Sequence, residues 1–148
     1  MIWMGLDLGS RRIGVAISDP LGVIAQPLTT LEARGRGTVP LGALQELVSE
    51  RDVGGIVVGL PRRLDGSHGP EAEAAEAVAE QLRVALRLPV ELWDERLTSA
   101  QAERVLIDAG VRRKRRKGAT DRIAAALILQ GFLDHRSLSP AVPEAVEP

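Results

Sequence analysis

The chain has no cysteine and no tyrosine, and its only aromatic side chains are two tryptophans and one phenylalanine. Without cysteine, disulfides and thiolate metal sites are excluded. With so few rings, stacking of bases on aromatic faces is a poor way for this chain to hold a nucleic acid. Long apolar runs are missing too. The longest, Ile123–Leu129, is far too short to cross a bilayer, so no membrane partner is expected. No secretory leader pattern opens the sequence, and a reducing cytoplasm is the expected home. Nor is there a dominant charge: 20 acidic against 19 basic residues leave a net charge of −1, which by itself names no partner.

What is present is ordinary for a globular domain: 148 residues, 45% hydrophobic and 26% charged, enough to bury a sizeable core. No internal repeat or linker divides it. One domain over residues 1–136 is expected, followed by a Pro/Ser/Glu-rich disordered tail at 137–148. The charge is segregated along the chain. Gly110–Arg122 holds seven Lys/Arg against one Asp, while Glu71–Glu80 holds four Glu and no base. Such separation within a neutral total points to a local polyanion site.

Element by element, Ile2–Ser18 reads as a β-hairpin turning at Gly9–Arg12, with Asp7 near the end of its first strand. Val23–Leu31 is β-rich but contains Pro27, which confines it to an edge or bulged strand. Leu41–Asp52 carries leucines at helical spacing, and Gly54–Gly55 is expected to stop that helix. Ile56–Leu60 is a continuous apolar run, as a strand buried on both faces should be. The polar loop Pro61–Gly69 follows, and Pro70 then opens an Ala-rich helix to Leu86. Pro89–Trp93 is the last strand. A capping box at Thr98–Gln101 starts a helix to Ala109. A basic loop, Val111–Gly118, leads to a final helix, Asp121–His135, capped by Thr120. The order is β-β-β-α-β-α-β-α-α. It implies an α/β fold: a mixed five-stranded sheet, antiparallel at first and parallel after the crossovers, with helices on both faces. Sites in such sheets gather at the carboxyl ends of the strands. Trp3 and Trp93 are expected in the core.

Three acidic groups fall at comparable places: Asp7 in the first strand, Glu95 beside Asp94 after the last strand, and Asp121 at the opening of the last helix. Singly, each has a bland explanation. Asp is common in turns, a surface Glu can pair with Arg96, and an acid in a first helical turn suits the dipole. Converging on one sheet edge, the three repel one another unless a cation sits among them. Oxygen donors without His or Cys favour Mg²⁺ or Mn²⁺ over zinc.

Four segments, GLDLGSRRIGVAISD, VVGLPRRLDGS, DERLTS and KGATDRIAAALIL, closely resemble the bacterial YqgF/RuvX family, in order and at fitting spacing, from Gly5 to about Asp134. This is a family of Holliday junction resolvases and of nucleases that mature the 5′ end of small-subunit ribosomal RNA. The resemblance implies a ribonuclease H-like fold and a metal-dependent endonuclease. Precursor 16S rRNA is the expected substrate and the four-way DNA junction the alternative. It places the family's acids on Asp7, Glu95 and Asp121, as ligands of two Mg²⁺ (or Mn²⁺) ions ~3.5–4 Å apart that clamp the scissile phosphate and activate water. Asp94 and Glu95 point to opposite faces of a strand, so one of the pair is the inward ligand. A fourth acid has no evident position. Arg62, Arg63, Arg112, Arg113, Lys114, Arg115, Arg116 and Lys117 are the expected phosphate contacts, reading backbone and shape rather than bases. Lys117 matches the lysine of the family's K-G-x-x-D segment. No apolar interface stripe stands out, which suits a monomer or weak homodimer.

Two other readings compete. Nucleotide-binding domains of the sugar-kinase and actin type also place D-x-G after a first strand, but they need a second, duplicated domain that 148 residues do not hold. A non-catalytic nucleic-acid adaptor would keep the fold, but acids at all three positions argue against lost catalysis.

Overall fold

The computed structural model describes residues 1–9, 11–35, 37–60, 69–94 and 113–138, with side chains of the last helix from 121 to 136. Strand β1 (Ile2–Leu8) runs antiparallel to β2 (Arg12–Ser18), in a register from Met4 opposite Ile17 to Leu8 opposite Ile13. β3 (Ala25–Glu32) pairs antiparallel with β2. It is an edge strand, and its register slips where Val15 faces Thr29 and Ala16 faces Pro27. The proline therefore sits at an irregularity, where its missing donor costs least.

Helix α1 (Leu41–Arg51) leads into β4 (Val53–Leu60), which lies parallel to β1. The glycines at 54 and 55 do not stop α1, contrary to the sequence expectation. Asp52 does so by entering the left-handed region at φ 58°. Both glycines lie inside β4, where a Cβ would meet Met1 Cγ at 2.7 Å and Trp3 Cζ3 at 2.6 Å. Their role is close packing, not helix termination. Helix α2 (Pro70–Leu86), with Pro70 in its first turn, returns the chain to β5 (Val90–Asp94), parallel to β4. The finished sheet has the order β3-β2-β1-β4-β5. The helix expected over 98–109 lies outside the described residues.

The last helix, α3 (Arg113–Leu138), corrects the second expectation. Backbone read as a basic loop is helical from Arg113 onward. Arg, Lys and Ala are good helix formers, and one interior glycine, Gly118, costs only about 1 kcal/mol. Thr120 is thus not a cap. Asp121 stands about two turns inside the helix, beyond the reach of the dipole.

Alternation along the strands divides the core. On one face Met4, Leu6, Ile13, Val15, Ile56 and Val58 pack against α1 and α2 through Leu44, Ala75, Val78 and Leu82. On the other, Trp3, Ala16 and Val57 pack against Ala125, Ile128, Leu129 and Phe132 of α3. Trp3 is buried and its ring lies 4.8 Å from that of Phe132. Trp93 is half-buried against the same cluster.

Two glycines set how near α3 comes. A Cβ at Gly14 would stand 1.9 Å from the carbonyl oxygen of Asp121, and one at Gly5 would stand 2.8 Å from Leu129 Cβ. Gly14→Ala is therefore expected to cost roughly 3 kcal/mol or more, since the obstacle is helix backbone that cannot rotate away. Gly42→Ala in α1, where a Cβ meets nothing within 4 Å, should instead stabilise by about 0.5 kcal/mol. Chemical denaturation of the two variants against the parent chain checks both signs.

Candidate active site

Asp7 is the penultimate residue of β1. It alternates in step with Trp3 and Gly5, both of which touch α3, so its side chain lies on the α3 face. Its cross-strand partner is Gly14. Because the backbone of α3 rests on Gly14 at Asp121, the carboxylate of Asp121 is delivered beside Asp7. The two acids recognised in sequence at positions 7 and 121 therefore share one site.

Their electrostatics are unusual. The Asp7 carboxyl is pushed up to about 7, chiefly by burial and further by the neighbouring Asp121 carboxylate. Asp121 is held by an ion pair: Arg12 Nε donates to its Oδ2 at 3.1 Å, with side-chain exposures of 39% and 28%. Sequence reasoning left Arg12 in the turn of the hairpin and gave it no role. The available signal was parity: residues 12 and 14 share a face of β2, and 14 pairs with 7.

Asp94 ends β5 opposite Leu60. It shares the parity of Leu92, which packs into the α1–α2 core, whereas Trp93 packs toward α3. Asp94 is thus on the face away from Asp7. Asp19, at the far end of β2 from Asp7, is structural: its carboxylate accepts the N–H groups of Leu21, Val23 and Ile24, which hold its pKa down. Glu95, Arg62, Arg63 and Arg112 lie outside the described residues. Arg113, Lys114, Arg115, Arg116 and Lys117 form the opening turns of α3, upstream of Asp121. Among the described residues no three His, Cys, Asp or Glu side chains cluster as a metal site, and no helix is long and apolar enough to cross a membrane.

A family model described as RuvX, Holliday junction resolvase, matches residues 1–135. The chain belongs to the RuvX family. Among its RuvX relatives, a protein of Pelotomaculum thermopropionicum named pre-16S rRNA nuclease is 53% identical over 131 residues, covering 88% of this chain and 85% of that one. One of the same name from Bacillus cereus is 49% identical over 134 residues, covering 90% and 98%. Solved structures extend the likeness at the level of fold. Thermus thermophilus RuvC in complex with a Holliday junction substrate aligns with a TM-score of 0.52 at 16% identity, over 94% of this chain and 97% of that one. The fowlpox virus resolvase with junction DNA aligns with a TM-score of 0.54 at 12% identity, over 92% and 99%. The RuvX chain thus has the ribonuclease H-like fold that its motifs implied.

The raised Asp7 carboxyl carries a testable consequence. Between pH 4 and about 7 the folded chain binds a proton at Asp7 that the unfolded chain has released. Stability of the metal-free protein should therefore fall as pH rises through that window, by roughly 2–4 kcal/mol. Asp7→Asn should lack that part of the loss. Urea unfolding of both proteins in chelator, at pH 5 and pH 8, gives the difference directly.

Proposed function

We propose that this RuvX chain is a metal-dependent endonuclease that hydrolyses phosphodiester bonds in structured nucleic acid, with 5′-end maturation of precursor 16S rRNA as its task. The observation that carries the reading is the placement of Asp7 and Asp121, distant in sequence, side by side at the carboxyl end of β1. A folded chain gains nothing in stability by setting two carboxylates together in a partly buried site. A hard cation gains a great deal from them.

The donor chemistry fits Mg²⁺ or Mn²⁺: carboxylate oxygens on rigid elements, with no His or Cys among the residues that form the pair. Asp7, Asp121 and Glu95 are the assigned ligands, and Glu95 is preferred to Asp94 because Asp94 stands on the opposite face. Bound there, such ions would supply polarisation of the scissile phosphate and activation of a water. The chain's own residues do the rest. Asp7 gives up its proton to become a ligand. α3 and β1 hold Asp121 and Asp7 at fixed separation. Arg62, Arg63 and Arg112–Lys117 bind flanking phosphates and leave the bases unread.

The choice of precursor rRNA over junction DNA follows the relatives at about half identity, which bear the rRNA nuclease name. The family description and the resolvases of like fold favour the second reading, resolution of four-way junctions. Purified protein in Mg²⁺, offered both substrates side by side, separates the two.

Asp7→Asn, Asp121→Asn and Glu95→Gln should each lower cleavage by at least about a hundredfold, since loss of a ligand removes the ion it holds. Asp94→Asn should do far less. A cleavage rate left unchanged by Asp7→Asn would refute the assignment. Arg113→Ala with Arg116→Ala should flatten the slope of log affinity against log salt by roughly one to two units, for all sequences alike. Filter binding across a salt series measures it.

A further inference from the structure

On α3 the basic run Arg113–Lys117 precedes Asp121. We propose that the side of Asp7 and Asp121 toward β3 is a further phosphate-binding flank, formed by Arg12 and Arg122, which grips the substrate strand beside the carboxylates. The proposal rests on the nuclease reading above and extends it to where the strand runs.

Arg12 lies on the α3 face of β2. Its Nε bond to Asp121 Oδ2 at 3.1 Å uses one of five donors and fixes the plane of the guanidinium. Neither Nη group has a protein partner among the described residues, and 39% of the side chain is exposed. Glu32, its cross-strand neighbour, makes no ion pair with it. A half-exposed ion pair adds little to stability. A guanidinium held at Nε, with both NH2 groups unpartnered among the described residues, is, by contrast, shaped for a phosphate.

Arg122 follows Asp121 on α3 and turns toward β3, where its Nη1 reaches Thr30 Oγ1 at 3.5 Å. Thr30 pairs with Gly14, and Glu32 pairs with Arg12. Arg12 and the Thr30 that Arg122 reaches therefore belong to successive same-face pairs of the β2–β3 ladder, whose strand positions are about 7 Å apart. That step is comparable with the spacing of successive phosphates in a nucleic-acid strand. Both side chains are partly buried at their stems and anchored by one bond each, so little freedom is lost on binding. Arg12 also offsets the negative charge of Asp121 for an incoming polyanion.

The test uses the full chain and two probes, a 5′-labelled RNA that carries the single-stranded 5′ leader of precursor 16S rRNA and an immobile four-way DNA junction. Affinity is read by anisotropy in chelator over a salt series, and cleavage of both probes is read in Mg²⁺. Arg12→Gln and Arg122→Gln should each flatten the salt slope by roughly 0.7 on the RNA and roughly 0.9 on the junction, and the double variant by about twice that. Arg12→Lys should retain the slope. In the cleavage assay Arg122→Gln should raise KM by a larger factor than it lowers kcat. It leaves the Asp121 pair intact, so it decides the matter even if Arg12→Gln folds poorly. Slopes equal to the parent's in both single variants, with the parent cleaving, overturn the flank and leave the nuclease standing. A parent that cleaves neither probe refutes the nuclease reading, while the slopes still decide the flank.

Discussion

The meeting of Asp7 and Asp121 depends on how closely α3 lies on the sheet. At Gly14 the helix backbone sits where a side chain would be, with the Asp121 carbonyl 1.9 Å from the position of a Cβ. At Gly5 the gap is closed by Leu129. Two missing side chains let a helix touch strands directly. The apolar seam of Ala125, Ile128, Leu129 and Phe132 against Trp3, Ala16 and Val57 then holds it there. Lift the helix by one methyl group and Asp121 leaves Asp7. Packing and chemistry are thus the same contact read at two distances from the sheet edge.

That contact opposes stability at its upper end. It buries the Asp7 carboxyl and sets a second carboxylate beside it, and the Asp7 pKa rises to about 7, chiefly through that burial. Arg12 answers the charge of Asp121 but not that of Asp7. The stabilising work falls to the opposite face, where Met4, Leu6, Ile56 and Val58 are sealed by Leu44, Val78 and Leu82. The sheet separates the two tasks: among the described residues one side is apolar and covered by α1 and α2, and the other is covered by α3 and ends in charge. Separation of this kind is how a small domain tolerates a strained site.

The interior position of Asp121 also changes what the residue means. In a first helical turn an acid needs no function, because the dipole rewards it. About two turns in, the dipole has faded. The acid's tolerated presence there, over a glycine and beside a second acid, is a stronger indication of chemistry than its position in sequence alone.

Much of this was legible in the chain itself. The hairpin, the edge strand with Pro27, the buried run Ile56–Leu60, Pro70 in its helical turn and the mixed sheet all follow from local periodicity and turn chemistry, which act over a few residues and are written directly in sequence. The motifs supplied the family, and with it the acids at 7 and 121. Other features had no local signal. Gly54 and Gly55 looked like helix breakers because nothing nearby shows that Met1 and Trp3 will cover them. The basic stretch looked like a loop because its helix is secured by packing further along α3. Arg12 looked like a turn residue because its partner is 109 positions away. Sequence determined which elements form and which acids are present. Tertiary structure decided which of them meet, because facing and proximity are set by strand register and by the seating of one helix, and both are long-range.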